Sequence, residues 1–153
     1  MSTRTVFTAL DEAAAKYGDS TALIQPIGGG KNATYSWNQY KQIVQEITCG
    51  LRSLGTERGD VVAIQSETRA EFYFVDMGII SNGSTAAAMY TVYPQGEAIA
   101  KLNACKAKLA FVENPKMLAT LAASLSGAEP MDIRWILMTG KADDVMTLED
   151  LRE

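Results

Sequence analysis

The sequence predicts an α/β protein: an open, mainly parallel sheet with helices on both faces, preceded by an N-terminal helix, a β-hairpin and a second helix. Three observations point there. Between residues 60 and 140, short unbroken apolar runs alternate with segments of helical period, the pattern of strands covered on both faces and joined by crossover helices. Before residue 60 the period is helical, then short and β-prone around a cluster of glycines, then helical again. The chain has 153 residues and 47% hydrophobic content, enough for one core, and no Pro/Ser linker, low-complexity stretch or repeat divides it.

Each element has its own signal. Val6, Phe7, Leu10, Ala14 and Tyr17 recur at helical spacing, and Gly18 stands where a left-handed C-cap falls. Residues 21–25 and 33–36 are β-prone runs around the glycine-bearing turn 26–32, which predicts a hairpin. Ser36 with Gln39 forms a capping-box signature ahead of the stripe Tyr40, Ile43, Val44, Ile47, Leu51 and Leu54, which stops at Gly55. The run 61–64 lacks alternation and predicts a buried strand. Thr68 and Glu71 make a second capping-box signature for an apolar helix through Phe72, Val75, Ile79 and Ile80 to Gly83, and residues 84–90 follow as a strand. After the break at 94–96, Ile99, Leu102 and Cys105 mark a helix, then comes the strand 109–112. Asn114 as N-cap and Pro115 at the first helical position open a helix carrying Leu118, Leu121 and Leu125, and residues 133–138 form a fourth strand. Thr147 with Asp150 three residues on predicts another helix start. The expected organisation is a single α/β domain over 1–153: helix, hairpin and helix in 1–59, βαβαβαβ in 60–140, and the start of a next element in 141–153.

Composition excludes several chemistries. With no histidine, the chain has no Ser-His-Asp triad, no imidazole metal ligand and no imidazole proton shuttle. Two cysteines cannot close a Cys/His zinc site. The balance of 14 basic against 18 acidic residues, with no basic run, argues against nucleic-acid binding, which requires a concentrated positive footprint. No stretch approaches the ~20 apolar residues of a membrane span, and the N-terminus lacks the apolar core of a signal peptide. A cytoplasmic location is therefore expected, with Cys49 and Cys105 as free thiols.

In an open α/β sheet, ligands bind beyond the carboxyl ends of the strands. Those turns begin at Gln65, Thr91, Glu113 and Thr139, and none matches a dinucleotide turn or a P-loop. Gly28–Gly29–Gly30–Lys31 has phosphate-loop composition but lies in a hairpin; Thr139–Gly140–Lys141 follows a strand but lacks further glycines and an immediate helix start. Both read as turns, and Asp143–Asp144 reads as a solvated loop rather than a Mg²⁺ site. Asp76 falls near an apolar helix face, where burial raises a carboxyl pKa, yet no base partners it. Cys49 falls opposite the apolar stripe in mid-helix and reads as inert, whereas Cys105 falls on the apolar side of its helix. Arg69 opposes the macrodipole of its helix and calls for a partner such as Glu67 or an anion. Tyr90, Tyr93 and Trp135 read as core or rim aromatics.

Several segments in order resemble the AMP-forming acyl-CoA synthetases of the adenylate-forming ligase superfamily. Thr34–Tyr35–Ser36–Trp37–Asn38–Gln39–Tyr40 resembles their "TY-x-E-L" helix entry. Gly50–Leu51–Arg52–Ser53–Leu54–Gly55 with Arg58–Gly59–Asp60–Val61–Val62–Ala63–Ile64 resembles "GL-x-x-LG-x-x-x-GD-x-VA". Glu67–Thr68–Arg69–Ala70–Glu71–Phe72 resembles "x-N-R-x-E-W", with Phe72 in place of Trp. Residues 83–97 resemble "GA-x-x-VPLYPT" without its first proline, and 108–113 resemble "AK-x-LFVED". The resemblance runs from about Phe7 to Glu153 and is strongest to long-chain fatty-acid CoA ligases. It implies a two-step reaction: ATP converts a fatty acid to an acyl-adenylate with release of pyrophosphate, and the coenzyme A thiol then displaces AMP.

In such enzymes ATP, Mg²⁺ and coenzyme A serve the parent. The Ser/Thr/Gly-rich phosphate loop, the Mg²⁺-binding glutamate, the ribose-binding aspartate and the C-terminal lysine are expected downstream of this segment. No catalytic, cofactor-binding or metal-ligating residue is therefore assigned here. The expected partners are the remainder of the ligase chain, fatty acid for the parent, and a second copy through exposed sheet edges. Peripheral membrane attachment stays open for the parent. The alternative is a stand-alone, non-catalytic binding or assembly module on the same scaffold.

Overall fold

The computed structural model describes residues 4–125 and 132–153. Helix α1 (Val6–Tyr17) starts at Thr5, whose hydroxyl accepts from the Thr8 N–H while the Thr8 hydroxyl oxygen accepts from the Thr5 N–H. Strands β1 (Thr21–Gly28) and β2 (Lys31–Ser36) form an antiparallel hairpin. It is longer than the expected runs because its loop is only Gly29–Gly30, both at positive φ, as a two-residue turn that follows the strand twist requires. In helix α2 (Trp37–Ser53) the expected capping box is present: Gln39 N–H donates to Ser36 Oγ (3.2 Å) and Ser36 N–H to Gln39 Oε1 (2.9 Å).

The main sheet contains β3 (Val61–Gln65), β4 (Thr85–Met89), β5 (Leu109–Val112), β6 (Arg134–Leu137) and β7 (Met146–Thr147). All neighbours are parallel, in the order β4-β3-β5-β6-β7. Helices α3 (Ala70–Ser81), α4 (Gln95–Cys105) and α5 (Pro115–Leu125) connect the strands, and α6 (Leu148–Arg152) follows β7. β7 was not foreseen: two residues are too few to give a period, and they hold to the edge through pairing with Ile136 and Leu137.

Strand alternation divides the apolar residues between two faces. Val62, Ile64, Leu109, Phe111 and Ile136 pack with Ile47 and Leu51 of α2, Val75 and Ile79 of α3, and Leu148 and Leu151 of α6. Ala63, Ala110, Val112 and Leu137 pack on the other side with Ala98 and Leu102 of α4 and Leu118 and Leu121 of α5. Helices thus cover both faces. Leu125, expected on the α5 stripe, has a side chain outside the described residues.

Two helix contacts depend on missing side chains. A Cβ on Gly78 of α3 would lie 2.5 Å from Ile47 Cγ2, and one on Gly50 of α2 would lie 2.1 Å from the Leu151 carbonyl oxygen. The helices approach there because nothing projects between them.

The second capping box corrects the sequence expectation. Thr68 and Glu71 do not cap α3; its N-cap is Arg69, without a side-chain capping bond. Glu71 is drawn away by the Arg69 guanidinium, and the Ala70 N–H donates instead to Gln25 Oε1 of the hairpin at 2.8 Å.

Candidate functional site

From β3 the chain passes to β4 on one side, then crosses back through α4 to β5 on the other. The crevice where strand order reverses therefore lies beyond the paired ends Gln65 and Val112. Glu113 organises it. Its Oε2 accepts from the Glu67 N–H (2.7 Å) and Ser66 Oγ (3.2 Å), and its Oε1 accepts from Asn114 Nδ2 (3.3 Å). Its backbone carbonyl accepts from the Thr139 hydroxyl at 2.7 Å, and the Thr91 hydroxyl donates to the Glu67 carboxylate. Four strand ends are thereby tied together.

Arg69 closes one side. Its fork lies on Glu71 (Nε to Oε2 2.7 Å, Nη2 to Oε1 3.1 Å), and Nη1 is 3.5 Å from Glu113 Oε1. The Glu71 hydrogen bonds, with a smaller contribution from Glu113, raise its pKa further. The expected partner Glu67 is thus replaced by Glu71 and Glu113, because Glu67 is turned toward Thr91.

Beside this network, between the strand ends, α4 and α5, is a cavity of about 330 Å³ lined by Gln65, Thr91, Tyr93, Asn114, Lys116 and Met117, with Ala98, Thr120 and Leu121. Gln65 is only 4% exposed, and its Oε1 has no hydrogen-bond partner. A buried acceptor without a donor costs about 1–3 kcal/mol, so Gln65 is a polar group whose pairing is incomplete beside the cavity. Asn114 Oδ1 is committed to the Met117 N–H at 3.0 Å as the α5 cap, and Lys101 Nζ sits 4.5 Å above the Tyr93 ring. The exposed Lys116 adds a cation, while Ala98, Met117 and Leu121 add an apolar wall.

Gln65 was legible only as the polar end of an apolar strand run; its unmet oxygen depends on how α4 and α5 pack. Other candidates lie apart from the cavity. Gly28–Lys31 is the hairpin turn. Gly140 packs against Pro115, and Asp144 lines a separate surface recess with Trp135. Among the described residues, no group of three Cys, Asp or Glu side chains is placed to hold a metal ion. Asp76 has its pKa raised by burial and makes no hydrogen bond or ion pair among the described residues. Cys49 is exposed; Cys105 is half-buried and its thiol donates to the Leu102 carbonyl at 3.4 Å. Tyr90 is exposed and meets Tyr93 edge-on, with centroids 5.5 Å apart.

Residues 10–150, from α1 into α6, match the family described as AMP-binding enzyme. The chain belongs to that family. Among relatives of this AMP-binding family member, uncharacterized protein Rv1549 of Mycobacterium tuberculosis is 34% identical over 90 residues, 59% of this chain and 50% of that protein. 4-Coumarate–CoA ligase 1 of Petroselinum crispum is 26% identical over 95 residues, 62% of this chain and 17% of that enzyme. The solved anthranilate CoA ligase AuaEII, in complex with anthranoyl-AMP, superposes with a TM-score of 0.85 at 21% identity, covering 97% of this chain and 28% of that one. The α/β fold is therefore that of the N-terminal region of adenylate-forming ligases. The chain spans half or less of the length of these relatives. No helix among the described residues is long and apolar enough to cross a membrane.

Proposed function

We propose that this chain is the N-terminal part of an acid–thiol ligase which activates a long-chain fatty acid as its adenylate and passes the acyl group to coenzyme A, and that its own task is to hold the arm of the thiol co-substrate. Gln65 carries the reading. Its buried, unpartnered oxygen asks for a hydrogen-bond donor, and the amides of the coenzyme A arm supply N–H groups of that kind. The apolar wall suits the methylenes between those amides, and Lys116 suits a phosphate. The Glu113 network keeps the strand ends in register so that the cavity is preformed rather than built on binding.

ATP and Mg²⁺ are proposed for the whole enzyme, and no residue of this chain is assigned to them. The fatty-acid substrate rests on the segments resembling long-chain ligases, and a cytoplasmic location follows the same reading. A second reading, a stand-alone module, is favoured by Rv1549: its aligned 90 residues are half of it, so that relative is far shorter than the coumarate ligases.

Labelled-pyrophosphate exchange with ATP, Mg²⁺ and either palmitate or 4-coumarate separates these readings. The chain alone is expected to give no exchange, and the whole gene product is expected to exchange faster with palmitate. Exchange by the chain alone would overturn the division of labour, faster exchange with coumarate would overturn the fatty-acid assignment, and a gene ending at Glu153 would favour the module.

A further inference from the structure

One wall of the cavity is formed by the loop 90–94 between β4 and α4, which brings Thr91 and Tyr93 to it. Tyr93 is anchored by packing with the core of α4 and α5, beneath Lys101. Its N–H reaches the Tyr90 carbonyl only at 3.5 Å, so the loop's own backbone pairing is weak. Thr91 is anchored from outside the loop: its hydroxyl donates to the carboxylate of Glu67, an exposed residue of the β3–α3 connection that does not line the cavity. Glu67 is itself held from behind. Its N–H donates to Glu113 Oε2 at 2.7 Å, and Arg69 Nη1 stands 3.5 Å from the other Glu113 oxygen. The Glu113 N–H donates to the Gln65 carbonyl at 3.0 Å. This chain of contacts therefore starts at Gln65 and returns to the cavity at Thr91.

We propose that Glu67 is a positioning residue: its carboxylate latches Thr91 and so keeps the loop 90–94 in place as a wall for the thiol arm, without touching the arm. The ligand in this statement rests on the thiol-arm reading of the cavity, whereas the latch rests on the contacts alone. A wall that moves must be ordered when the ligand arrives, and that ordering lowers the affinity. If release of the latch leaves the loop in place roughly a third to a tenth of the time, the apparent Kd rises about three- to tenfold. Global stability is nearly indifferent to the latch, because Glu67 is exposed and outside the core. The sign of the effect also separates this role from plain electrostatics. Removing a carboxylate near the anionic coenzyme tightens binding on charge alone, so weaker binding without Glu67 comes from the loop.

Calorimetric titration with coenzyme A is expected to give a Kd about three- to tenfold higher for Glu67→Ala and for Thr91→Val than for the wild type. The double variant is expected to bind no more weakly than either single one, since both changes undo the same latch. Glu67→Gln keeps an acceptor oxygen for the Thr91 hydroxyl and is expected to bind like the wild type. Chymotrypsin, which cuts after aromatic residues, reads the latch without the ligand. Cleavage after Tyr90 is expected to be about three- to tenfold faster in Glu67→Ala and unchanged in Glu67→Gln, with cleavage elsewhere and the melting temperature unaltered. Equal cleavage after Tyr90 in Glu67→Ala and the wild type would overturn the latch. Faster cleavage with an unaltered Kd, additive losses in the double variant, or a Glu67→Gln chain as weak as Glu67→Ala would overturn the positioning role and leave the thiol-arm reading standing. A wild type that does not bind coenzyme A would overturn that reading and the positioning role with it, whatever the cleavage shows.

Discussion

Replacing Phe111 by alanine is expected to lower the unfolding free energy by about 3–5 kcal/mol. Phe111 is fully buried in β5, paired with Ile64 of β3 on one side and Ile136 of β6 on the other. All three side chains face the core made with α2 and α3. The hole left by the ring is hard to fill, because the flanking strands are held at their spacing by backbone hydrogen bonds. At roughly 2–4 °C per kcal/mol for a chain of this size, the midpoint of thermal unfolding should fall by about 6–20 °C. Urea unfolding measures the same loss, with Ile27→Ala as the comparison. Ile27 is 61% exposed on the hairpin, and its truncation should change stability by less than about 0.5 kcal/mol. A loss near that size for Phe111→Ala would mean that β5 does not occupy the centre of the core.

The second large effect is expected from Gly78→Val. The new Cβ would lie 2.5 Å from Ile47 Cγ2 and 2.9 Å from Ile47 Cβ, and Ile47 is fully buried. The helices must separate, which also strains the Thr48 hydroxyl, hydrogen-bonded to the Val44 carbonyl at 2.8 Å and the Gly78 carbonyl at 3.2 Å. Overpacking of this kind costs about 1–3 kcal/mol, and the upper end is expected because a branched side chain has no rotamer that avoids the contact. Removing the glycine returns only a few tenths of a kcal/mol in helix propensity. Adding Ile47→Ala should recover part of the loss, so a double-mutant cycle should give a coupling of about 1 kcal/mol or more. Additive effects would place the two helices further apart than this structure does.

These two sites differ in how openly the sequence displays them. Phe111 sits in a four-residue apolar run, and such a run between turn signals announces a buried strand. Gly78 interrupts a helical stripe, and nothing local tells whether it marks a weak point or a close crossing. Helix starts were legible where a cap is made by near neighbours: Ser36 with Gln39, Thr147 with Asp150, and Asn114 beneath Met117. The signature at Thr68 and Glu71 failed because a tertiary partner, Arg69 held beside Glu113, competes for the same carboxylate. Strand order was out of reach, since the runs say nothing of the side on which β4 joins β3. The cavity shared that fate: Gln65, Thr91, Tyr93 and Lys116 come from three separate connections and meet only when the order reverses.

Calorimetric titration with coenzyme A, for the wild-type chain and for Gln65→Leu, tests the cavity assignment most directly. Saturable binding is expected, weakened at least about tenfold in the variant, the worth of one hydrogen bond of about 1.4 kcal/mol. Leucine leaves no unpaired buried acceptor, so the variant should melt no lower than the wild type, and weaker binding could not then be ascribed to poor folding. No saturable binding by the wild type, or equal affinity in the two proteins, would contradict a thiol-arm site at the β3/β5 crevice.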